Sequence, residues 1–268
     1  MIDIHCHILP AIDDGADTLE ESVRFCRMAV ADGIHSIVTT PHMRDDTYPN
    51  TPETIRPVFR KLVERVREEG IPIRLIPGAE VHLAPDLPAR HKAGRLMTYA
   101  EQGKFLLLEL PYQQYPVRVE EVIFQLRLLG ITPVLAHPER TSFILDDPSR
   151  LGRLRELGAM TQFTGSSILG KFGQEVVEFC QEMVQRGWMD TIATDAHDLR
   201  YRPPKLSEAV NRLAEWIGPE KARRMVDAIP RGITEGRDPD SFREAAIRDE
   251  PRPRGWSWFR RRGSGRGD

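Results

Sequence analysis

Short runs of β-branched and apolar residues recur along the chain at 2–6, 36–40, 73–77, 105–110, 132–136, 160–163 and 190–194, each followed by a polar loop. Between them lie longer stretches whose apolar side chains return every three or four positions, the spacing of a helix that buries one face. The helices expected on this basis cover roughly 18–33, 52–69, 119–129, 148–157, 174–186, 206–217 and 219–228. Thr18 followed by Glu21 can form a capping box at the first of them, and Gly70, Gly130, Gly158 and Gly187 stand where left-handed residues close helices. Short strands alternating with helices predict repeated βα units around a parallel sheet.

Composition narrows the class without naming a partner. A chain of 268 residues suits one large α/β barrel or two small domains. An apolar content of 40%, 29% charged residues and a net charge of -2 describe an ordinary globular protein with no bias toward nucleic acid. No apolar run approaches the ~20 residues of a membrane span. The opening MIDIHCH lacks a basic, apolar leader, so a cytoplasmic protein without stable membrane insertion is expected. Cys6, Cys26 and Cys180 are widely spaced and form no CxxC pair, which fits a reducing compartment. From Pro251 onward arginines crowd around Trp256, Trp258 and Phe259. The folded domain is therefore expected over 1–240, with 241–268 a disordered, Arg-rich tail.

Ligand-type side chains gather after the strand-like runs. His5 and His7 close the first, Asp14 lies in the loop beyond it, His42 follows the second and Glu80 the third. Glu109 ends the fourth, His137 the fifth, and Asp195 with His197 the seventh. In a βα barrel the carboxyl ends of the strands form one rim, so residues remote in sequence converge there. Residues i and i+2 on a strand face the same way, which lets His5 and His7 grip one ion, and Asp195 and His197 are expected to repeat that alternation. Nine such residues after six of seven strands point to a metal site. His35 falls at the opposite end of the barrel and His91 in a polar stretch, so both are expected to be structural or solvated. His82 shares strand phase with Glu80 and is expected outside the ligand set.

The segments DIHCHILPAIDDGA, TTPH, GAEVHLAPDL, LLLELP, PVLAHPER, QFTGSSILGKFG and TDAHDLRYRPP together resemble the polymerase-and-histidinol-phosphatase (PHP) superfamily over residues 1–235. Within it they are similar to the CpsB/CapC-type branch, the manganese-dependent protein-tyrosine phosphatases of capsule and exopolysaccharide operons. The resemblance implies a distorted TIM-like (β/α)7 barrel and three divalent ions, manganese favoured over iron or zinc. By motif, His5, His7, Glu80 and Asp195 would hold one ion. Glu80 would bridge to a second held by Glu109 and His137, and Asp14, His42 and His197 would hold the third. Cys6 and Thr141 are minor departures from the pattern.

Charge and chemistry agree with that ligand set. Four carboxylates, Asp14, Glu80, Glu109 and Asp195, offset four of the six charges on three divalent ions and leave about +2, which suits a phosphate monoester. Bridging cations lower the pKa of water and clamp the oxygens of an in-line displacement. Arg140 and Arg202 follow ligand motifs and can clamp phosphate as guanidinium forks. The alternative for either is pairing with an acid such as Glu139. His42 is counted with these two arginines as catalytic, while Arg44 and Arg200 are weaker candidates. Cys180 and Arg186 have the C-x5-R spacing of cysteine-dependent phosphatases, but the intervening residues are helix formers and build no amide cradle.

The expected activity is hydrolysis of phosphotyrosine on a bacterial protein, the resemblance pointing to a tyrosine kinase of exopolysaccharide export. A histidinol-phosphate phosphatase sharing every ligand is the nearest rival. A non-catalytic PHP regulatory module is disfavoured by the intact ligand set.

Overall fold

The computed structural model describes residues 1–243. The expected Arg-rich tail lies outside the described residues except at 241–243, which close a last helix, Pro239–Arg243, whose Phe242 is buried. The strands are β1 (Ile2–Cys6), β2 (Ser36–Thr39), β3 (His42–Met43), β4 (Arg74–Pro77), β5 (Glu80–His82), β6 (Phe105–Glu109), β7 (Thr132–Ala136), β8 (Met160–Thr164) and β9 (Thr191–Ala193). Every pairing among them is parallel, in the orders β1-β2-β4 and β3-β5-β6-β7-β8-β9.

The second and third expected strands form as β2 and β4, and each is followed, after a break, by a short strand beyond its expected bounds, β3 and β5. Pro41 has no N–H to give a ladder, and it separates β2 from β3, while Gly78 separates β4 from β5. The breaks are bridged locally, because the Glu80 amide donates to the Pro41 carbonyl at 3.1 Å. Counting each broken pair as one, seven strand positions remain, as in a distorted (β/α)7 barrel. The ring closes between β1 and the segment after β9. Cys6 bridges Ala196 in parallel, His7 N donates to Ala196 O at 2.9 Å, and Asp195 N donates to His5 O at 2.8 Å.

Strands covered on both faces read as continuous apolar runs, and β6, with all five residues buried, is the clearest case. Helices wrap the outside. Leu19–Ala31 buries Val23, Phe25, Cys26 and Ala29, and Gln174–Gln185 buries Val176, Phe179, Cys180 and Met183. Full burial of each such large side chain is worth roughly 1.5–3 kcal/mol. Thr18 caps its helix by accepting from Glu21 N, but the Glu21 carboxylate accepts from Asp17 N, so the expected box is only half made. A complete box forms instead at Thr51 and Thr54, ahead of Pro52–Glu68. The helix expected at 219–228 ends early, at Arg224, and beyond a non-helical Asp227 a separate helix, Ala228–Thr234, follows. No helix among the described residues is long and apolar enough to cross a membrane.

One buried pair reinforces the closure. Asp3 on β1 is fully buried and accepts from Thr194 N at 2.9 Å and from Thr194 Oγ1 at 2.5 Å, 191 residues away. Asp3→Ala leaves a buried amide without its acceptor, so it should lower stability by about 1–3 kcal/mol. The check is a fall in urea midpoint at constant m value, and an unchanged midpoint would show that the pair does not hold the ring shut.

Candidate metal centre

All nine expected ligand residues lie at the carboxyl rim of the barrel, and all but Asp14 and His42 are buried below a tenth of their surface. The innermost group is His5, His7, Glu80 and Asp195. His5 Nε2 and His7 Nε2 stand 3.0 Å apart, at 3.3 and 3.4 Å from Glu80 Oε2 and 3.3 and 3.5 Å from Asp195 Oδ1. On one side of it, His137 Nε2 lies 2.9 Å from Glu80 Oε1, and His42 Nδ1 lies 3.1 Å from Glu80 Oε2 and 3.9 Å from Glu109 Oε2. On the other, Asp14 Oδ1 is 3.4 Å from both His42 Nε2 and His197 Nε2. The geometry differs from the expected partition in two respects. His42 reaches both outer groups, one ring nitrogen to each, and His7 stands with Asp14, His42 and His197 as well as with His5 and Glu80.

Partners around the cluster set which imidazole nitrogen faces inward. His5 Nδ1 donates to Gln162 Oε1 at 2.7 Å, and the Gln162 amide is itself fixed by donating to Phe163 O at 2.8 Å. His7 Nδ1 donates to Asp13 Oδ2 at 2.8 Å, and His197 Nδ1 to the Asp195 carbonyl at 2.9 Å. With Nδ1 committed outward, each ring points its Nε2 to the interior, and the neutral tautomer these partners select is the one a cation requires. His42 Nδ1 and Glu80 Oε2 are buried and close, yet not aligned to bond one another. Such lone pairs converging without a shared proton fit a metal ion, as does a donor set of imidazoles and carboxylates.

The electrostatics are those of a site built for positive charge. Burial opposes ionisation of Glu80 and Asp195, but His5 and its neighbours outweigh it and hold both carboxyls below their usual range. The same coupling acts on the imidazoles. Burial disfavours protonation of His7, yet Asp13 lifts its pKa to about 9, and Glu80 and Asp14 lift His42 to about 11 against the same penalty. Without cations His5, His7 and His42 supply counter-charge that bound cations would otherwise provide, whereas burial and His7 push His197 the other way.

Local backbone explains how remote residues meet. The Asp13–Asp14 turn presses on His7 so closely that a Cβ at position 15 would lie 1.9 Å from the His7 carbonyl, which is why Gly15 is needed there. Asp195 and His197 do not repeat the strand alternation expected of them. β9 ends at Ala193, and Asp195 adopts a left-handed conformation (φ 50°) that folds His197 back over it. His137 is left-handed too (φ 30°). Non-glycine residues in this region cost of order 1–3 kcal/mol, and both occur at candidate ligands.

Arg140 and Arg202 both donate to Asp195 Oδ2, the first at 2.6 Å, and neither pairs with Glu139. Glu139 is buried the other way, accepting from Thr164 N and Ser167 Oγ. Arg44 is bonded to Asp46, and the Arg200 guanidinium lies over the Tyr201 ring. His82 Nδ1 donates to Glu109 Oε2 at 3.0 Å, and His35 and His91 stand clear of the cluster. Sequence reasoning passed over Asp13 and Gln162. Asp13 is masked by its neighbour Asp14 in an acidic doublet, and Gln162 sits in a strand without a charge to mark it. Cys180 lies inside Gln174–Gln185, its thiol pushed up by burial, and Arg186 is paired with Glu182, so C-x5-R is a helix and not a phosphate loop.

The profile of the family described as "Capsular polysaccharide synthesis, CpsB/CapC" matches residues 1–234. The chain is 34% identical to the tyrosine-protein phosphatase YwqE of Bacillus subtilis over 94% of this chain and 96% of that one. It is 30% identical to the tyrosine-protein phosphatase CpsB of Streptococcus agalactiae serotype V, over 84% and 94%. A solved structure from work on B. subtilis YwqE and Streptococcus pneumoniae CpsB, described as metal-dependent tyrosine phosphatases, superposes with a TM-score of 0.85 at 34% identity, covering 89% of this chain and 96% of that one. A lactonase of Listeria monocytogenes shares the fold alone, with a TM-score of 0.53 at 15% identity over 87% and 94%.

Asp13 bonds both His7 and, at 3.1 Å, the His42 backbone amide. Removing such an outer partner typically weakens metal binding about 10–100-fold. Asp13→Ala should show that loss in competition with a chelator, whereas exposed Asp17→Ala should show none. Equal affinities would remove Asp13 from the site.

Proposed function

The chain belongs to the CpsB/CapC family of capsular polysaccharide synthesis proteins, and we propose that it is a metal-dependent phosphatase of phosphotyrosine on a protein. The observation that carries the chemistry is Asp195. Its Oδ1 faces His5 and His7 among the candidate metal ligands, while its Oδ2 receives both Arg140 and Arg202. A single carboxylate thus joins a cation-binding cluster to a pair of guanidinium groups. The relatives' activity supplies the substrate class, and a tyrosine kinase of the exopolysaccharide machinery is the protein substrate we favour. We assign three divalent ions to His5, His7, Asp14, His42, Glu80, Glu109, His137, Asp195 and His197, with manganese preferred, and place the enzyme in the cytoplasm.

Bound divalent cations would supply charge neutralisation and water of lowered pKa. The protein's own residues do the rest. Arg140 and Arg202, held by Asp195, offer their remaining N–H groups to phosphoryl oxygens, and Arg202 Nε is buried without a partner. His42, at the mouth of the cluster and spanning Glu80 and Asp14, stands where ligand and substrate meet. A phenolate of pKa ~10 leaves more readily than an alkoxide, so a tyrosyl ester needs little proton donation from the site. No cysteine nucleophile is needed. Burial raises the thiols of Cys6 and Cys180 far above the usual value and that of Cys26 to about 12, which keeps all three protonated.

Arg140→Ala and Arg202→Ala should each lower kcat/KM by at least about tenfold with metal content unchanged, as expected of groups that stabilise transition-state charge. Unchanged kinetics in both would return them to purely structural pairing with Asp195. The function itself is tested with manganese supplied, by comparing kcat/KM for a phosphotyrosine peptide and for histidinol phosphate. The peptide should be preferred, the activity should vanish with a strong chelator, and the Cys6→Ser, Cys26→Ser, Cys180→Ser triple variant should keep it. Preference for histidinol phosphate would overturn the substrate, and a chelator-resistant, cysteine-dependent activity would overturn the mechanism.

A further inference from the structure

Two large aromatic side chains stand open to solvent beside the charged centre. Tyr112 is 37% exposed and Phe172 39% exposed, and the Arg140 guanidinium carbon lies 5.5 Å from the ring centre of the first and 4.9 Å from that of the second. Both rings are placed by backbone. Ser142 donates its amide and its hydroxyl to the Tyr112 carbonyl at 2.9 and 3.0 Å, and the Tyr112 ring stacks on His137 at 5.8 Å with 12° between planes. Phe172 occupies a tight turn between Gly170 and Gly173, whose positive φ values of 83° and 97° suit glycine. The Gly173 amide closes that turn on Gly170 O at 3.1 Å, and Lys171 Nζ ties it to Tyr201 O at 2.6 Å, in the loop that carries Arg202. Scattered exposed aromatics need no explanation, but two flanking one candidate phosphate-binding guanidinium do.

We propose that Tyr112 and Phe172 form an aromatic slot beside Arg140 that receives the phenyl ring of the phosphotyrosine, making these two side chains determinants of aryl-ester selectivity. The inference rests on the phosphotyrosine reading above. A phosphate held by Arg140 places its ester oxygen, and one bond further its organic group, next to the rings that flank the guanidinium. An aryl group there gains face and edge contacts with Phe172 and Tyr112, and it covers the apolar surface they leave in water. A seryl or glyceryl group has no flat face to offer and gains little. Arg140 stays held by Asp195 at 2.6 Å, with a longer bond to the Tyr112 hydroxyl at 3.4 Å, whichever ester is bound, so the rings act on the choice of ester and not on the chemistry common to both.

The test uses the full chain with manganese and two peptides of one sequence, bearing phosphotyrosine or phosphoserine, with phenyl phosphate and glycerol phosphate as a second pair. Phe172→Ala and Tyr112→Leu should each reduce the ratio of aryl to alkyl kcat/KM by roughly tenfold, mainly through KM, the scale of one lost aromatic contact. Phe172→Trp and Tyr112→Phe, which keep a flat ring, should restore it, and metal content measured alongside should match the parent protein. Equal losses on aryl and alkyl esters would mean that the rings only position Arg140, and would overturn the proposal, as would an unchanged ratio. If the parent protein cleaves the alkyl esters but no phosphotyrosine, the substrate reading itself falls and the slot with it.

Discussion

The carboxylate of Glu80 is the constraint on which the rest of the site depends. It is wholly buried, its Oε2 lies within 3.4 Å of nitrogens from His5, His7 and His42, and its Oε1 meets His137. A buried carboxylate without positive partners is expensive, and breaking one such partnership usually costs more than the pair contributed. The barrel meets this demand from three strand ends at once, those of β1, β2 and β7. The break between β4 and β5 and the bond from Glu80 N to Pro41 O set the height at which the carboxylate enters the rim. Gln162, Asp13 and the Asp195 carbonyl then fix the rings around it, so the cluster's order is imposed from outside.

The left-handed residues show a second aspect of this design. His137 and Asp195 each hold an unfavourable backbone conformation at the end of a strand, where an extended chain would carry the side chain past the cluster. Strain of this kind persists only where neighbours over-determine the position. At Asp195 the neighbours are identifiable. His5 O receives its amide, two arginines hold one carboxylate oxygen, and His197 is bonded to its carbonyl.

The barrel and the gathering of the nine candidate residues at one rim were legible because they rest on repetition. Seven apolar runs, six of them ending in His, Asp or Glu or leading to one, state both the strand order and the rim. What escaped were features that depend on a particular tertiary contact. Neither member of the Asp13–Asp14 doublet announces which will face His7, since Gly15's close approach decides it. Gln162 reads as an ordinary polar strand residue until His5 is placed beside it. The i and i+2 rule served His5 and His7 but failed for Asp195 and His197, because periodicity assumes the strand continues and the chain turns instead. Glu21 followed the capping pattern in spacing, yet Asp17 N offered its carboxylate a competing donor. Tyr112 and Phe172 carried no sequence signal at all, as their significance lies in sharing one arginine.

The closure of the ring through Asp3 and Thr194, 191 residues apart, governs when the site can exist during synthesis. His5, His7 and Glu80 emerge from the ribosome early, but Asp195, His197 and both arginines follow only after more than half the chain has been made. The candidate ligands on the two sides of the closure thus come from opposite ends of the chain, and their full geometry exists only in the completed ring.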